Sequence, residues 1–217
     1  MKKLLSTLAL LLAALPAWAV PTFVSMTIED LNDATSETYF DTTPGLISVS
    51  STDSPLLSKY WTGSLQVALS NNYDPSMPGE FISSSINLNA TDLIGENLVV
   101  NILAAGYTNP TGGDYGFDTI INAATVQQAQ FDAVVFVDTN VLLDAPDIDD
   151  TNTRTASGTF TVGDSYSILH AFRLTSDAPD ADLGFDISTR ANVPEPLPLG
   201  LLGAGLLGLG FTVKRRN

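Results

Sequence analysis

The stretch SYSILHAFRL, Ser165–Leu174, decides the fold. Apolar or aromatic side chains stand at every second position, Tyr166, Ile168, Phe172 and Leu174, and His170 keeps the same register. Successive side chains of an extended chain point to opposite faces, so this period puts all five on one side of a β-strand. The alternation recurs in TFVSMTI (Val24, Met26, Ile28), GSLQVALS (Leu65, Val67, Leu69) and FISSSINL (Ile82, Ile86, Leu88). NLVVNIL, AVVFV, SGTFTV and LGFDIST extend it to eight or more short strands. NNYDPSMPG, YTNPTGGDYG and LLDAPDIDDTN supply Gly, Pro, Asn and Asp between the runs, where chain reversal costs least. No repeat of 20–50 residues appears, which argues against a solenoid or propeller.

Many short strands with one wet face predict an all-β, antiparallel sandwich, jelly-roll-like in its layering, with at most one or two short helices. One segment reads differently. DTIINAATVQQAQF, Asp118–Phe131, combines good helix formers with a loosely helical apolar spacing, so a short helix is expected there with Asp118 as its N-cap.

The two ends of the 217-residue chain have another character. Residues 1–19 carry Lys2 and Lys3, an apolar run from Leu4 to Leu15, and small residues at Ala17 and Ala19, the three parts of a secretory signal cut after Ala19. The run is shorter than the roughly 20 residues of a membrane span, which favours a cleaved leader over an anchor. At the far end Leu197–Val213 is uncharged and rich in leucine, and as a helix it would cover about 25 Å, a little less than a bilayer's hydrocarbon core. Lys214, Arg215 and Arg216 follow it and would hold the C-terminus in the cytoplasm, with the rest of the chain exported, the orientation the leader also requires. Gly200, Ala204 and Gly208 fall four apart, a stripe of small residues that lets another membrane helix approach, for recognition by a membrane enzyme or for simple anchoring or dimerisation. Val193-Pro194-Glu195-Pro196 precedes the span; each proline fixes its own φ and disfavours helix in the residue before it, so the strip stays extended and open to a protease or transpeptidase.

This tripartite tail closely resembles the PEP-CTERM sorting signal. The matching residues are Val193, Pro194, Glu195 and Pro196 for the motif, Leu197–Val213 for the span and Lys214–Arg216 for the basic cluster. The resemblance covers about 25 residues strictly, with a looser likeness in the ASGTFTVGDSYSILHAFRL strands. It implies export by signal peptidase and the Sec machinery, then recognition and removal of the tail by exosortase, an integral-membrane enzyme of Gram-negative bacteria associated with exopolysaccharide synthesis. It says little about the body, since unrelated domains carry the same tail.

The expected organisation is therefore a signal peptide at 1–19, an exported domain at 20–192 and a sorting segment at 193–217. The middle domain is long enough to bury one core without staples, and the chain has no cysteine. It holds four basic and 23 acidic residues, a net charge of −19. Such a body repels phosphate backbones and excludes nucleic acid as a partner. Cations or a matrix crosslinked by them suit it better, although acidity also serves solubility alone.

Candidate chemistry is sparse. His170, the one histidine, lies on the apolar face of its strand without a recognisable nucleophile or ligand partner, and reads as a hydrogen-bonded core residue. Asp144, Asp147, Asp149, Asp150 and Asn152 crowd one turn, hard oxygen donors of the kind Ca²⁺ takes; an EF-hand is excluded because its glycine and glutamate positions hold Asn152 and Gly158, and a solvated acidic loop is the plainer reading. Tyr60, Trp61, Tyr107 and Tyr115 are candidate sugar-stacking rings, with Trp61 equally suited to the core. Asn89-Ala90-Thr91 fits a glycosylation acceptor by chance pattern alone. The acidic residues offer many carboxylate pairs, and no spacing singles one out for hydrolysis. With no catalytic constellation and no required cofactor, the expected role is a non-enzymatic surface or matrix component associated with exopolysaccharide. A carbohydrate-binding module with a defined ligand is the alternative, and a glycan-active hydrolase ranks third.

Overall fold

A computed structural model describes residues 23–41, 46–70, 80–108 and 113–192. Among them are twelve strands: β1 (Phe23–Asp30), β2 (Thr35–Asp41), β3 (Leu46–Ser50), β4 (Trp61–Ser70), β5 (Glu80–Ala90), β6 (Gly95–Thr108), β7 (Gly113–Gln127), β8 (Ala129–Val137), β9 (Asn140–Ile148), β10 (Arg154–Val162), β11 (Ser165–Ser176) and β12 (Asp182–Asn192). One short helix, α1 (Pro55–Tyr60), joins β3 to β4. The strands form two six-stranded sheets, β2-β1-β6-β11-β8-β9 and β10-β7-β12-β5-β4-β3, hereafter sheets A and B. Every pairing is antiparallel, as the alternation predicts.

The alternating residues of the opening stretch all point inward: Tyr166, Ile168, His170, Phe172 and Leu174 are buried. They meet Ile82, Ile86, Phe117, Ile121, Leu183 and Phe185 of sheet B in one apolar layer. Phe131 of β8 and Phe185 of β12 stack across it at 3.9 Å between ring centroids, and Phe172 meets Phe185 edge-on at 5.2 Å.

The segment expected to be a helix from Asp118 is instead strand, most of β7 running into β8. Its burial alternates, with Phe117, Thr119, Ile121 and Ala123 inside and Ile120 and Asn122 outside. β7 pairs with β10 on one side and β12 on the other, and these two ladders outweigh a helix propensity worth only tenths of a kcal/mol per residue. The helix that does form begins at Ser54, whose side-chain oxygen accepts from Leu57 N at 3.0 Å, and Pro55 opens its first turn.

A buried polar chain crosses the apolar layer. His170 of sheet A reaches two hydroxyls of sheet B, Ser84 at 3.1 Å from Nδ1 and Thr189 at 2.8 Å from Nε2. Thr189 lies 2.9 Å from Thr119 Oγ1, its register partner, and Thr119 donates to the Ser188 carbonyl at 3.1 Å. One proton order satisfies all of it: Nε2–H donates to Thr189, Thr189 to Thr119, Thr119 to the carbonyl, and Ser84 to the bare Nδ1. This fixes the tautomer. Burial pushes the imidazole pKa down to about 3, so the ring is uncharged in the folded protein at neutral pH.

The unfolded imidazole titrates near 6.5. Stability from the neutral ring is complete above about pH 6.5 and is lost as pH falls toward 3, where the unfolded chain takes up a proton that the folded chain refuses. Urea melts of wild type and His170→Gln at pH 4–7 test this. The variant is expected to be less stable at pH 7 yet to show a pH slope between 6.5 and 4 shallower by about 1.4 kcal/mol per pH unit, one proton's worth; equal slopes would contradict it.

Candidate functional site: the outer face of sheet A

The two outer faces differ. On sheet B the outward positions of β4 and β5 are mostly hydroxyl and amide side chains, among them Ser64, Gln66, Ser83, Ser85, Asn87 and Asn89, while β7 and β12 add Asp118, Ile120, Asp186 and Arg190. On sheet A, strand register aligns an apolar row: Phe40 of β2 faces Ser25 of β1, Ser25 faces Leu103 of β6, Leu103 faces Leu169 of β11, Leu169 faces Phe136 of β8 and Phe136 faces Val141 of β9. Six strands at about 4.8 Å make a strip roughly 24 Å long. Phe40 is 71% exposed and Val141 51%, Leu103, Leu169 and Phe136 are half-buried, and Ser25, polar and buried, stands between Phe40 and Leu103 as a gap in the apolar row.

Along the strands, the next row reads Thr38, Thr27, Asn101, Ala171, Val134 and Asp144. Thr27 and Thr38 hydroxyls lie 3.2 Å apart, and the Asn101 amide donates to Glu29 Oε1 at 3.4 Å. Charge stands one row further on the same face, where Glu29 of β1, Arg173 of β11 and Asp132 of β8 point outward with Arg173 3.9 Å from Asp132, and Asp144 ends the second row on β9. The face thus combines an uncharged apolar strip with a hydroxyl and amide border. Sequence reading missed it, expecting each strand to have one wet face. The signal was available in NLVVNIL and AVVFV, which are apolar at both parities: Val99, Leu103, Val134 and Phe136 point out while Leu98, Val100, Ile102 and Val135 point in.

A polar cluster closes one end of the sandwich. Asp30, its carboxyl covered, accepts from Asn32 N at 2.8 Å, the Tyr60 hydroxyl at 2.9 Å and Lys59 Nζ at 2.8 Å. Burial alone would raise the Asp30 pKa, but the Lys59 ammonium, the Asn32 amide and the Tyr60 hydroxyl overrule it and hold the carboxyl at about 2. The hydrogen bonds that Lys59 donates to Asp30 and Asp33 push its own pKa upward in turn. Glu37 accepts from the Ser54 hydroxyl at 2.6 Å and from Leu56 N at 3.1 Å, while Thr91 N donates to the Tyr60 carbonyl at 2.8 Å. Both ends of α1 are therefore satisfied, and the cluster pins the β1–β2 turn to the helix. It is a fastening, with every group committed to another.

The rings expected to stack on sugars are in the core. Tyr60, Trp61, Tyr107 and Tyr115 are all buried. Tyr107 stacks on Tyr166 at 5.2 Å, and Tyr115 packs against Tyr166 and Phe117. Parity would send Tyr107 outward with Leu103 and Ala105. A register shift in the β6–β11 ladder, where Gly106 takes a left-handed φ of 85°, turns it inward.

His170 is in the core, as expected, and fully enclosed. The Ser84–His170 pair has nucleophile–base spacing, but both side chains are sealed and the second ring nitrogen meets a threonine where an activating triad would place a carboxylate. The acidic turn is spread along β9 and the link to β10. Asp144 lies within β9 opposite Val134; Asp147 has a φ of 50° and its amide donates to Asp132 Oδ1 at 2.8 Å. Asp150 accepts from Asn152 N at 3.0 Å and Arg154 at 2.9 Å, contacts that lower its pKa, and Asp149 and Ile148 precede it. Among the described residues no three His, Cys, Asp or Glu side chains gather as a metal site, and no helix is long and apolar enough to cross a membrane. Ala17, Ala19, Val193–Pro196, the span 197–213 and Lys214–Arg216 lie outside the described residues.

No family model matches the chain, and no curated protein matches it in sequence. Solved structures with some likeness include TmCBM61 in complex with β-1,4-galactotriose, at 11% identity and TM-score 0.38 over 71% of this chain and 97% of that one. A family 35 carbohydrate binding module from Clostridium thermocellum aligns at 13% identity and TM-score 0.27, over 75% and 96%. A PA14 sugar-binding domain from an RTX adhesin aligns at 10% and 0.31, over 79% and 91%. None reaches a TM-score of 0.5, so what those proteins bind does not carry over to this chain.

The Asp30 fastening has a direct test. Asp30→Asn keeps the size but removes a charge-assisted hydrogen bond, a loss of about 2 kcal/mol, and calorimetry should show the melting temperature lowered by roughly 5 °C or more. An unchanged melting point would mean that the cluster does not hold this end.

Proposed function

We propose that this chain is an exported, non-enzymatic component of a cell surface or extracellular matrix, associated with exopolysaccharide. Its leader takes it across the inner membrane, the apolar tail holds it there, and exosortase cuts near Val193–Pro196, releasing the jelly-roll-like sandwich or passing it to the surface. The observation that carries the reading is the tail itself, in which motif, apolar span and basic cluster follow one another within 193–217. A second reading, a module that holds a particular glycan, is favoured by the uncharged row on sheet A.

Mass spectrometry of the mature protein from its own cells tests the delivery. The expected mass begins at Val20 and lacks the residues beyond Pro196; native protein that still carries Phe211 and Lys214–Arg216 in the inner membrane would overturn it. Replacing Pro194, Glu195 and Pro196 together by alanine is expected to leave the unprocessed chain in the inner-membrane fraction.

A further inference from the structure

We infer that the outer face of sheet A is a binding surface for an uncharged polysaccharide, gripped across the strands by the row from Phe40 to Val141. The inference rests on the surface-component reading and names the ligand class and the residues.

The partner's chemistry follows from the face. Large apolar side chains left to water cost free energy, and Phe40 and Val141 are exposed at opposite edges of one aligned row. A lipid or a purely apolar protein surface would satisfy that row but would desolvate Thr27, Thr38 and Asn101 beside it without replacing their hydrogen bonds with water. A sugar chain presents both halves: C–H faces that pack on aromatic and aliphatic side chains, and hydroxyls that bond to Thr and Asn. An extended polymer lying along a strip of about 24 Å makes many modest contacts at once.

Charge narrows the class. The body from 20 to 192 carries −19, and on the face Glu29, Asp132 and Asp144 outnumber Arg173, so a polyanion such as a uronic-acid polymer is repelled. A second copy of the chain is disfavoured for the same reason. Two sheets packed face to face about a two-fold axis between β6 and β11 would set Glu29 of one copy against Asp132 of the other, with −19 on each side.

Affinity electrophoresis of the full-length chain in a polyoxyethylene detergent separates the cases. The gels contain hydroxyethylcellulose, xyloglucan or dextran as neutral probes, or alginate as the polyanion. Retardation is expected in at least one neutral gel and not in alginate. Phe40→Ser and Phe136→Ser should each weaken it about fivefold to tenfold. Leu46→Ser, on the other sheet and 59% exposed, should leave it unchanged. Because Phe40 is mostly exposed, its variant is expected to keep the wild-type melting temperature, so lost binding is not lost folding. The proposal is overturned if the wild type runs unretarded in every neutral gel, if alginate retards it equally, or if both phenylalanine variants bind as the wild type does. A dimer dissolved by Phe40→Ser, with no glycan retardation, would assign the face to a second copy and overturn it as well. Correct tail processing alongside failed binding would leave the delivery reading standing; the reverse would leave the glycan surface standing alone.

Discussion

Closure of a dry layer between two sheets is the constraint on which the rest of this molecule depends. There is no cysteine to staple the strands, so the layer must hold through packing and satisfied polar groups. Phe131, Phe172 and Phe185 interlock across it, and the chain from Ser84 through His170 to the Ser188 carbonyl crosses it without leaving a donor unpaired. Half-satisfied, that chain would be worse than an apolar core; complete, it also specifies which strand faces which. Slipping β12 by one residue against β7 would remove Thr189 from both His170 and Thr119. The histidine therefore earns its place as a registration device, and its burial is the reason it has no part in chemistry.

Because the interior is committed to packing, function falls to the outside, and the two outer faces are unequal. Sheet B shows water mostly hydroxyls, amides and charges, with Leu46 and Ile120 as separate apolar residues, and needs no partner. Sheet A shows an ordered apolar row, which is costly unless something covers it for part of the protein's life. The difference is built by register, since the row is assembled from strands far apart in sequence. Val141 joins it through the shift in the β8–β9 ladder that pairs Leu143 with Val135 inside and Val141 with Phe136 outside.

Much of the fold was legible because burial imposes a period of two. β4, β5 and β11 follow it at their central positions and β1 does so apart from the buried Ser25, and the inward set at Val24, Met26, Ile28, Leu65 and Val67 is readable from the letters. β7 was not legible. Its Ala and Gln favour helix while its Ile, Thr and Val favour strand, and the two flanking ladders that decide it come from β10 and β12, which lie downstream in the chain. The aromatic rings misled for a related reason: whether Tyr107 faces in or out depends on the bulge at Gly106, and a bulge changes parity without changing the pattern around it. Gly63 is similar. Its φ is +135°, and a Cβ there would meet the Asn87 carbonyl oxygen at 2.1 Å, a close strand approach that nothing in TGSLQ announces. The apolar row was half legible, since the letters show two apolar parities but only the pairing shows that they line up.

Val162 pairs with Gly113 in sheet B and Ser165 with Thr108 in sheet A, and only Gly163 and Asp164 separate the two, so these positions mark one end of the sandwich. Phe23, opposite Ala105, and Asn192, opposite Gly116, lie at that same end. The β1–β2 turn, α1 and the Asp30 cluster lie at the other. Strands therefore alternate in direction between the end that holds Phe23 and Asn192 and the fastened end. The apolar row crosses them at right angles, two residues from Phe23 along β1 and four from Ser165 along β11, so it lies nearer the first end than the fastened one.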